Sequence, residues 1–541
     1  PAMDGGFIWD DDAYVTENEA LRSGAGLKDI WLRLDATPQY YPLVFTTFWV
    51  EYRLWELEPY GYHVVNVLLH GLGAALLWLI LRRLAVPGAW IAAAVFALHP
   101  VHVESVAWIT ERKNVLSGML YLAALLAYIR FARPELPKTP RACAWRWYVA
   151  ALLLFIGALL SKTVVCSLPA VILLLLWWKR QRLSLRDIWP LLPFFAVGAA
   201  LALVTVWVEG HHVGAKIAGT DLSIAERCLV AGRVPWFYLG KLVWPTELTF
   251  IYPRWTVEAA RWWLLFFPAA VLVGLVTLWH LRRAIGWGPL VAALFFIGTL
   301  FPALGFIDVF PMRYSFVADH FQYLASIGPI ALLTALAVTA FKRVSQRTPD
   351  GTGDLGRSRI VPRAAGVAFV GVVLGTFGIL TWQQGGIYRN TETLWRDTVA
   401  KNPRAWMARI NLGNILVDQG KLDEAAAHFR AVLPADVKDA GSEVLARAHF
   451  NLGNTMARQG MVDEAQAEYE EAIKIEPRYH PAYHGLGWAY EMRSDYDAAI
   501  EAYRTAVRLK PEYTAAQQAL EAILAKKARI EAAAAELSLD P

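Results

Sequence analysis

Cysteine is scarce: Cys143, Cys166 and Cys228 are the three in a chain of 541 residues. So few exclude a disulfide framework or a cysteine metal cluster. Charge is scarce as well, at 18% of residues, against about 25% in soluble chains. A net charge of +5 is too small for a nucleic-acid binder. These absences come with a hydrophobic share of 56%, 24 tryptophans and a mean hydropathy of +0.34. Together they exclude disorder, collagen and a purely soluble enzyme. A polytopic membrane protein remains, and the length calls for two or more domains.

The composition changes at Trp382. Residues 1–382 hold 21 of the 24 Trp and are about 15% charged; residues 383–541 are about 26% charged, the soluble norm. The reading is therefore all-α: a membrane domain at 1–382, then a soluble domain at 383–541. A bilayer core needs about 20 apolar residues per helix. Ten segments approach that length: 63–81, 89–109, 115–131, 147–162, 164–178, 188–207, 263–281, 288–305, 324–341 and 364–382. The segment 222–244 is amphipathic and suits the interface. Loops 82–88, 130–146, 179–187, 282–287 and 342–363 hold 19 Lys+Arg and four Asp+Glu; the rest of the membrane domain holds 14 and 20. The basic set is expected on the cytoplasmic side. Residues 1–62, 99–114, 208–262, 306–323 and everything after 382 then lie on the far side. Ten spans with that parity start outside, which suggests a first membrane helix missing from the chain, or one segment that is not a full span.

The tail repeats with a 34-residue period. One unit carries Leu452-Gly453, Gly460, Ala465, Tyr469, Ala472 and Pro477. The next carries Leu486-Gly487, Tyr490, Ala499, Tyr503, Ala506 and Pro511, and an earlier one Leu412-Gly413, Gly420, Ala425 and Phe429. This is the tetratricopeptide pattern, in which small residues let two antiparallel helices approach and aromatics fill the gap beside them. Three repeats at 406–511 are flanked by a half-unit at 392–403 and a solvating cap helix at 514–537. Such an array suits binding of an extended peptide. Asn411, Asn414, Asn451, Asn454 and Tyr483 are candidate groove residues, since Asn can bond a peptide backbone twice. A spacer or an oligomer contact is the plainer alternative.

Polar residues gather at the far-side ends of the spans. Asp10, Asp11 and Asp12 are three adjacent carboxylates in an aromatic-rich loop. Their mutual repulsion tends to raise at least one pKa, and such a group can act as general base for a hydroxyl nucleophile. A solvated acidic turn is the plain alternative. His99, His102 and Glu104 precede Glu111-Arg112-Lys113-Asn114. Pro100 between the histidines and the lack of a third ligand speak against a metal, so a substrate-facing polar network is expected. Lys162 lies between two apolar runs, where an ammonium calls for an anionic partner such as a lipid phosphate, unless it snorkels to the interface. Arg313 and His320 suit a phosphate, with Asp319 orienting either; an interfacial belt would look the same. His63, Asn66 and His70 share one helix face, where a structural polar stripe is as natural as a ligand set. The coincidence of these clusters on one side suggests one cavity opening outward.

The order of these motifs, Trp9-Asp10-Asp11, His63 and His70, His99-Pro100-Val101-His102-Val103-Glu104, Arg112, Ser161-Lys162 and Asp319-His320-Phe321-Gln322-Tyr323, followed by tetratricopeptide repeats, resembles the transmembrane-and-tetratricopeptide-repeat protein O-mannosyltransferases and their bacterial relatives, of the GT-C glycosyltransferases. The resemblance implies a GT-C-type helix bundle and transfer of a sugar from a polyprenyl phosphate to Ser or Thr of a protein, with inversion. It implies Asp10 or Asp11, less readily Asp12, as base. It implies Lys162, Arg313, His320 and Arg112 as donor-phosphate ligands, and His99, His102, Glu104, Asp319 and His63 around sugar or acceptor. No metal or other cofactor is required. The partners are the lipid-linked sugar and an acceptor protein held by the repeats. The Ala-, Arg- and Trp-rich composition suggests a bacterial inner-membrane protein with periplasmic repeats, or an endoplasmic-reticulum membrane protein with lumenal repeats in a eukaryote. The rival readings are a non-enzymatic membrane scaffold for envelope proteins, and a transporter, which would favour mid-membrane charges and inverted repeats.

Overall fold

The computed structural model describes residues 1–132, 141–208, 222–258, 261–307, 310–347, 357–433 and 441–538. The chain is built from helices and forms two compact units, Pro1–Leu394 and Trp395–Pro541.

Among the described residues of the first unit, seven helices are long and apolar enough to cross a membrane: Pro59–Arg83, Ile109–Phe131, Thr163–Arg180, Leu185–Val208, Trp262–Ile285, Ile327–Val344 and Ala364–Tyr388. An eighth, Ala89–Leu98 with Pro100–Ala107, is bent by 54°. Pro100 causes the break: it cannot donate to the helix ladder, and it pushes His99 into extended backbone. Two shorter apolar helices, Ala144–Leu159 and Gly288–Ala303, complete a set that overlaps all ten segments read from the sequence. The amphipathic stretch near 222–244 is the helix Ile224–Val243, opened by a Ser223–Glu226 capping box; it is not among the span-length apolar helices.

Residues before Pro59 form a cap of short elements, including a single π-turn at Asp12–Thr16 and the helices Gly24–Leu32 and Pro42–Trp55. Tyr14, Val15, Leu21, Ile30, Val44, Phe45 and Phe48 pack with Tyr62, Ile109 and Leu116 in one apolar cluster. Burial of this cluster fastens the acidic loop beside the start of Ile109–Phe131. Beneath it the larger core is filled by residues such as Leu77, Phe96, Tyr121, Phe155 and Leu300.

The second unit is a row of antiparallel helix pairs: Trp406–Asp418 with Leu422–Arg430, Gly441–Arg458 with Val462–Ile475, and His480–Met492 with Tyr496–Leu509, then Thr514–Ser538. A Cβ on Gly413, Gly453 or Gly487 would come within 2.5, 2.7 and 2.7 Å of the Phe429, Tyr469 and Tyr503 rings. The small residue is thus what allows the partner helix to approach.

Candidate functional site

The three adjacent carboxylates have three different surroundings. Asp11 is fully buried. Its Oδ1 accepts from Thr110 N at 2.8 Å and Thr110 Oγ1 at 2.6 Å, and its Oδ2 accepts from Ile8 N at 2.9 Å. Burial raises its pKa to about 7 against the pull of those bonds. Asp12 is exposed and accepts from Thr16 Oγ1 at 3.0 Å. Asp10 is half-buried, and its carboxylate accepts no hydrogen bond from any described residue. Burial raises its pKa to about 6, opposed by the Lys113 charge and assisted by Glu111 and Asp12. Asp10 alone of the three combines a free carboxylate with partial access.

Beside Asp10 lies a buried chain of ionic contacts. Glu111 bridges two ammonium groups, Lys113 Nζ at 3.1 Å and Lys162 Nζ at 3.3 Å. Lys162 also donates to Asn114 Oδ1 at 2.7 Å. Asn114 Nδ2 donates to the His320 carbonyl at 3.0 Å and to Ser105 Oγ at 3.2 Å. Glu104 accepts from the His320 backbone N–H at 3.1 Å and from its ring Nδ1 at 2.9 Å. Lys113 lies 5.2 Å from the centre of the Tyr14 ring and 5.8 Å from that of Trp108. Trp108 stacks on Trp9 at 5.5 Å and meets His320 edge-on at 6.2 Å; its indole N–H finds no acceptor among the described residues. Asp10, Lys113, Glu111, Lys162 and His320 therefore form one neighbourhood.

Lys113 and Glu111 belong to this group although the sequence reading picked neither as a site residue. The available signal was an ionic run, Glu111-Arg112-Lys113, at the mouth of an apolar span. A lysine 51 residues away that would share the same carboxylate left no mark in the pattern.

Other expected residues have other surroundings. Arg112 was expected at the donor phosphate, but all five of its N–H groups are taken. They meet both Glu51 oxygens, at 2.5 and 3.1 Å, Thr47 Oγ1 at 3.2 Å, the Tyr62 carbonyl at 2.9 Å and Asn66 Oδ1. A fully buried, saturated guanidinium ties helices together and has no donor left for a phosphate. His99 donates from Nε2 to the Leu242 carbonyl at 2.9 Å; His102 meets the Phe96 carbonyl at 2.7 Å and Ser326 Oγ at 2.9 Å. These bonds are internal to the helix packing, as is that of His70 to Tyr323 Oη at 2.8 Å. His63 is buried beside the backbone of Gly5 and Gly6. Asp319 accepts from Tyr252 Oη at 2.9 Å. The Arg313 guanidinium lies over the Phe310 and Tyr314 rings, at 5.2 and 5.3 Å.

In the second unit Asn451 donates to Asn414 Oδ1 at 3.0 Å, so two of the candidate groove residues join across neighbouring repeats. Tyr469 donates to Asn454 Oδ1 at 2.8 Å, and Tyr483 to the Pro477 carbonyl at 3.1 Å. Asn411 is half-buried.

Fold and site define a class: a multi-pass helical membrane protein with a buried ionic cluster beside an acidic loop, followed by a tetratricopeptide solenoid. Comparison with known proteins agrees. Tetratricopeptide-repeat family profiles match residues 404–478 and 450–514. Over most of its length the chain is similar to protein O-mannosyl-transferases. It is 25% identical over 526 residues to Tmtc3 of Drosophila melanogaster, covering 81% of this chain and 54% of that protein. It is 26% identical over 500 residues to human TMTC4, covering 79% and 63%. The chain thus spans between half and two thirds of the length of these relatives. The solved structure of ArnT from Cupriavidus metallidurans, bound to undecaprenyl phosphate, aligns with 88% of this chain and 77% of its own, at 17% identity and a TM-score of 0.34.

Proposed function

We propose that the chain is a GT-C-type membrane glycosyltransferase that moves a hexose, mannose in the first instance, from a polyprenyl phosphate to Ser or Thr hydroxyls of an acceptor protein. One observation carries the reading: Asp10 holds a carboxylate free of hydrogen bonds to any described residue beside Lys113, one of two ammonium groups that share the buried Glu111 carboxylate. A base needs a free lone pair and a pKa near the working pH. A departing phosphate needs fixed positive charge in a poorly solvated place. The similarity to protein O-mannosyl-transferases supports the choice of sugar and acceptor.

On this reading the acceptor hydroxyl gives its proton to Asp10 as its oxygen bonds to the anomeric carbon. The bond from that carbon to the phosphate oxygen breaks, and the electron pair leaves with the phosphate. Lys162 and Lys113 face the charge that grows there, with His320 beside them. Glu111 keeps the two ammonium groups together and offsets their repulsion when no phosphate is bound. Asp11 anchors the loop through Thr110. The chain's own ammonium groups supply the positive charge, so the reading assigns no cofactor. The repeats hold the acceptor protein and raise its effective concentration. The acidic loop and the repeats share the non-cytoplasmic side, the periplasm in a bacterium.

The test is transfer of mannose from a polyprenyl-phosphate donor to a Ser/Thr peptide by the purified protein in nanodiscs. Asp10→Asn should lower the rate by about 100-fold or more, the usual worth of a general base, with its melting temperature unchanged. Full transfer by that variant removes Asp10 as base. A wild-type protein that transfers no lipid-linked hexose leaves the scaffold reading in its place.

A further inference from the structure

Glu104 is spent in an uncommon way. It is buried, and both of its oxygens go to one residue: Oε2 accepts the His320 backbone N–H and Oε1 faces ring Nδ1. A carboxylate only accepts, so Nδ1 must carry the proton in this contact. The His320 carbonyl is gripped separately by Asn114, the residue that also accepts from Lys162. Trp108 and Phe321 close on the ring edge-on, at 6.2 and 4.5 Å. The imidazole is thus held through its own Nδ1, its backbone N–H and its carbonyl. What remains is Nε2, on the ring edge away from Glu104, with no hydrogen bond to any described residue.

We infer that Glu104 is a positioning residue which fixes His320 so that Nε2 donates a hydrogen bond to an oxygen of the bound lipid phosphate. The inference rests on the glycosyltransferase reading and adds a task for a residue expected to line a sugar pocket. The arrangement follows the logic by which a carboxylate fixes the tautomer and aim of an imidazole and stabilises its doubly protonated form. Glu104 bonds Nδ1–H, and the arriving phosphate oxygen accepts from Nε2–H. Donation from both nitrogens requires the doubly protonated ring, so His320 takes up one proton from solvent as the anionic phosphate binds; as the bond from the anomeric carbon to the phosphate oxygen breaks, the phosphate gains charge and this hydrogen bond shortens. Asn114 connects His320 to Lys162, so imidazole and ammonium meet the same anion in a fixed relation.

The test is binding of a long-chain polyprenyl monophosphate to the full chain in nanodiscs, with the matching phosphate-free polyprenol as control. Glu104→Gln and His320→Gln should each weaken phosphate binding by about tenfold, the worth of one charge-assisted hydrogen bond, and leave polyprenol binding unchanged. Glu104→Asp should recover most of the loss. The double variant Glu104→Gln/His320→Gln should bind no worse than His320→Gln alone, because Glu104 acts only through the ring. Additive losses, equal losses for polyprenol, or wild-type binding by Glu104→Gln would each overturn the inference, as would a wild-type protein that does not bind the phosphate. If Glu104→Gln fails to fold, Glu104→Asp completes the cycle. The same samples assayed for mannose transfer separate the two claims. Coupled binding losses without wild-type transfer sink the transferase reading and keep the Glu104–His320 pair; transfer with additive losses does the reverse.

Discussion

Trp9 sits in the left-handed backbone region, with φ at 44°, which costs an L residue with a bulky side chain about 1–2 kcal/mol. Its stack on Trp108 and edge contact with Phe250, at 5.5 and 5.3 Å, offset that cost at about 0.5–1.5 kcal/mol per aromatic pair. This turn sends Asp11 inward to Thr110 and leaves Asp10 beside Lys113. The run Asp10-Asp11-Asp12 gave no way to tell them apart, because the rotation between neighbours is set by Trp9 and its distant partners. Two pH effects follow. If Asp10 is the base, it works ionised, and its pKa is raised to about 6. Transfer should therefore climb as pH rises through about 6 and level off above it; a rate that stays flat from pH 5 to 7.5 would contradict the assignment. Asp11 titrates near 7 in the folded protein, above the ordinary 3.8. The fold thus favours its protonated form, and that contribution is complete below pH 4 and lost as pH rises to 7. Melting temperatures measured across that window should fall with pH, and Asp11→Asn should flatten the slope.

Helices explain why some of the molecule was legible and some was not. Runs such as 188–207 and the 34-residue repeat are periodic, and periodicity survives without knowledge of partners. The site residues sit where periodicity fails. Glu111 ends the 3₁₀ turn Ile109–Glu111, Lys162 immediately precedes Thr163–Ser167, and His320 lies in Asp319–Gln322. Their contacts span 51, 48 and 216 positions of sequence, so the resemblance pointed to several of these residues while local pattern alone could not pair them. The repeats also allow a stability prediction. The turn between the paired helices needs positive φ, supplied by Gly420 at 75° and Gly460 at 79°. The third pair places Ser494 there, at 62°. Ser494→Gly should remove the left-handed penalty and, after the larger entropy loss of glycine, stabilise the second unit by about 0.5–1 kcal/mol. Chemical denaturation of residues 395–541 would read this directly, and a lower midpoint for the variant would refute it.

For the whole molecule, the charge pattern predicts which end of each helix faces the cytosol. The basic loops carry 19 Lys+Arg against four Asp+Glu, and basic loops resist translocation. Some of these cations are built into the ends of the spans. Arg82 lies over Trp78 at 5.2 Å, Arg130 over Trp147 at 4.3 Å, Lys179 over Trp178 at 3.9 Å and Arg282 over Trp279 at 4.1 Å. Cation and aromatic partners both favour the headgroup depth, so these four pairs are expected at the interface that the basic loops face. Glu111 lies at the start of Ile109–Phe131, the end opposite Arg130. Sidedness and chemistry are therefore linked: a transferase that uses a lipid-linked sugar exposed outside the cytosol needs Asp10 outside as well. Replacing Cys143, Cys166 and Cys228 by serine gives a background for single cysteines at Ala85, Ser184, Asp12 and Ser494. In intact cells or sealed vesicles of known orientation, an impermeant maleimide should reach positions 12 and 494 from the non-cytoplasmic side, and positions 85 and 184 only after permeabilisation. Labelling of 12 and 85 from the same side would break the link between the charge pattern and the site.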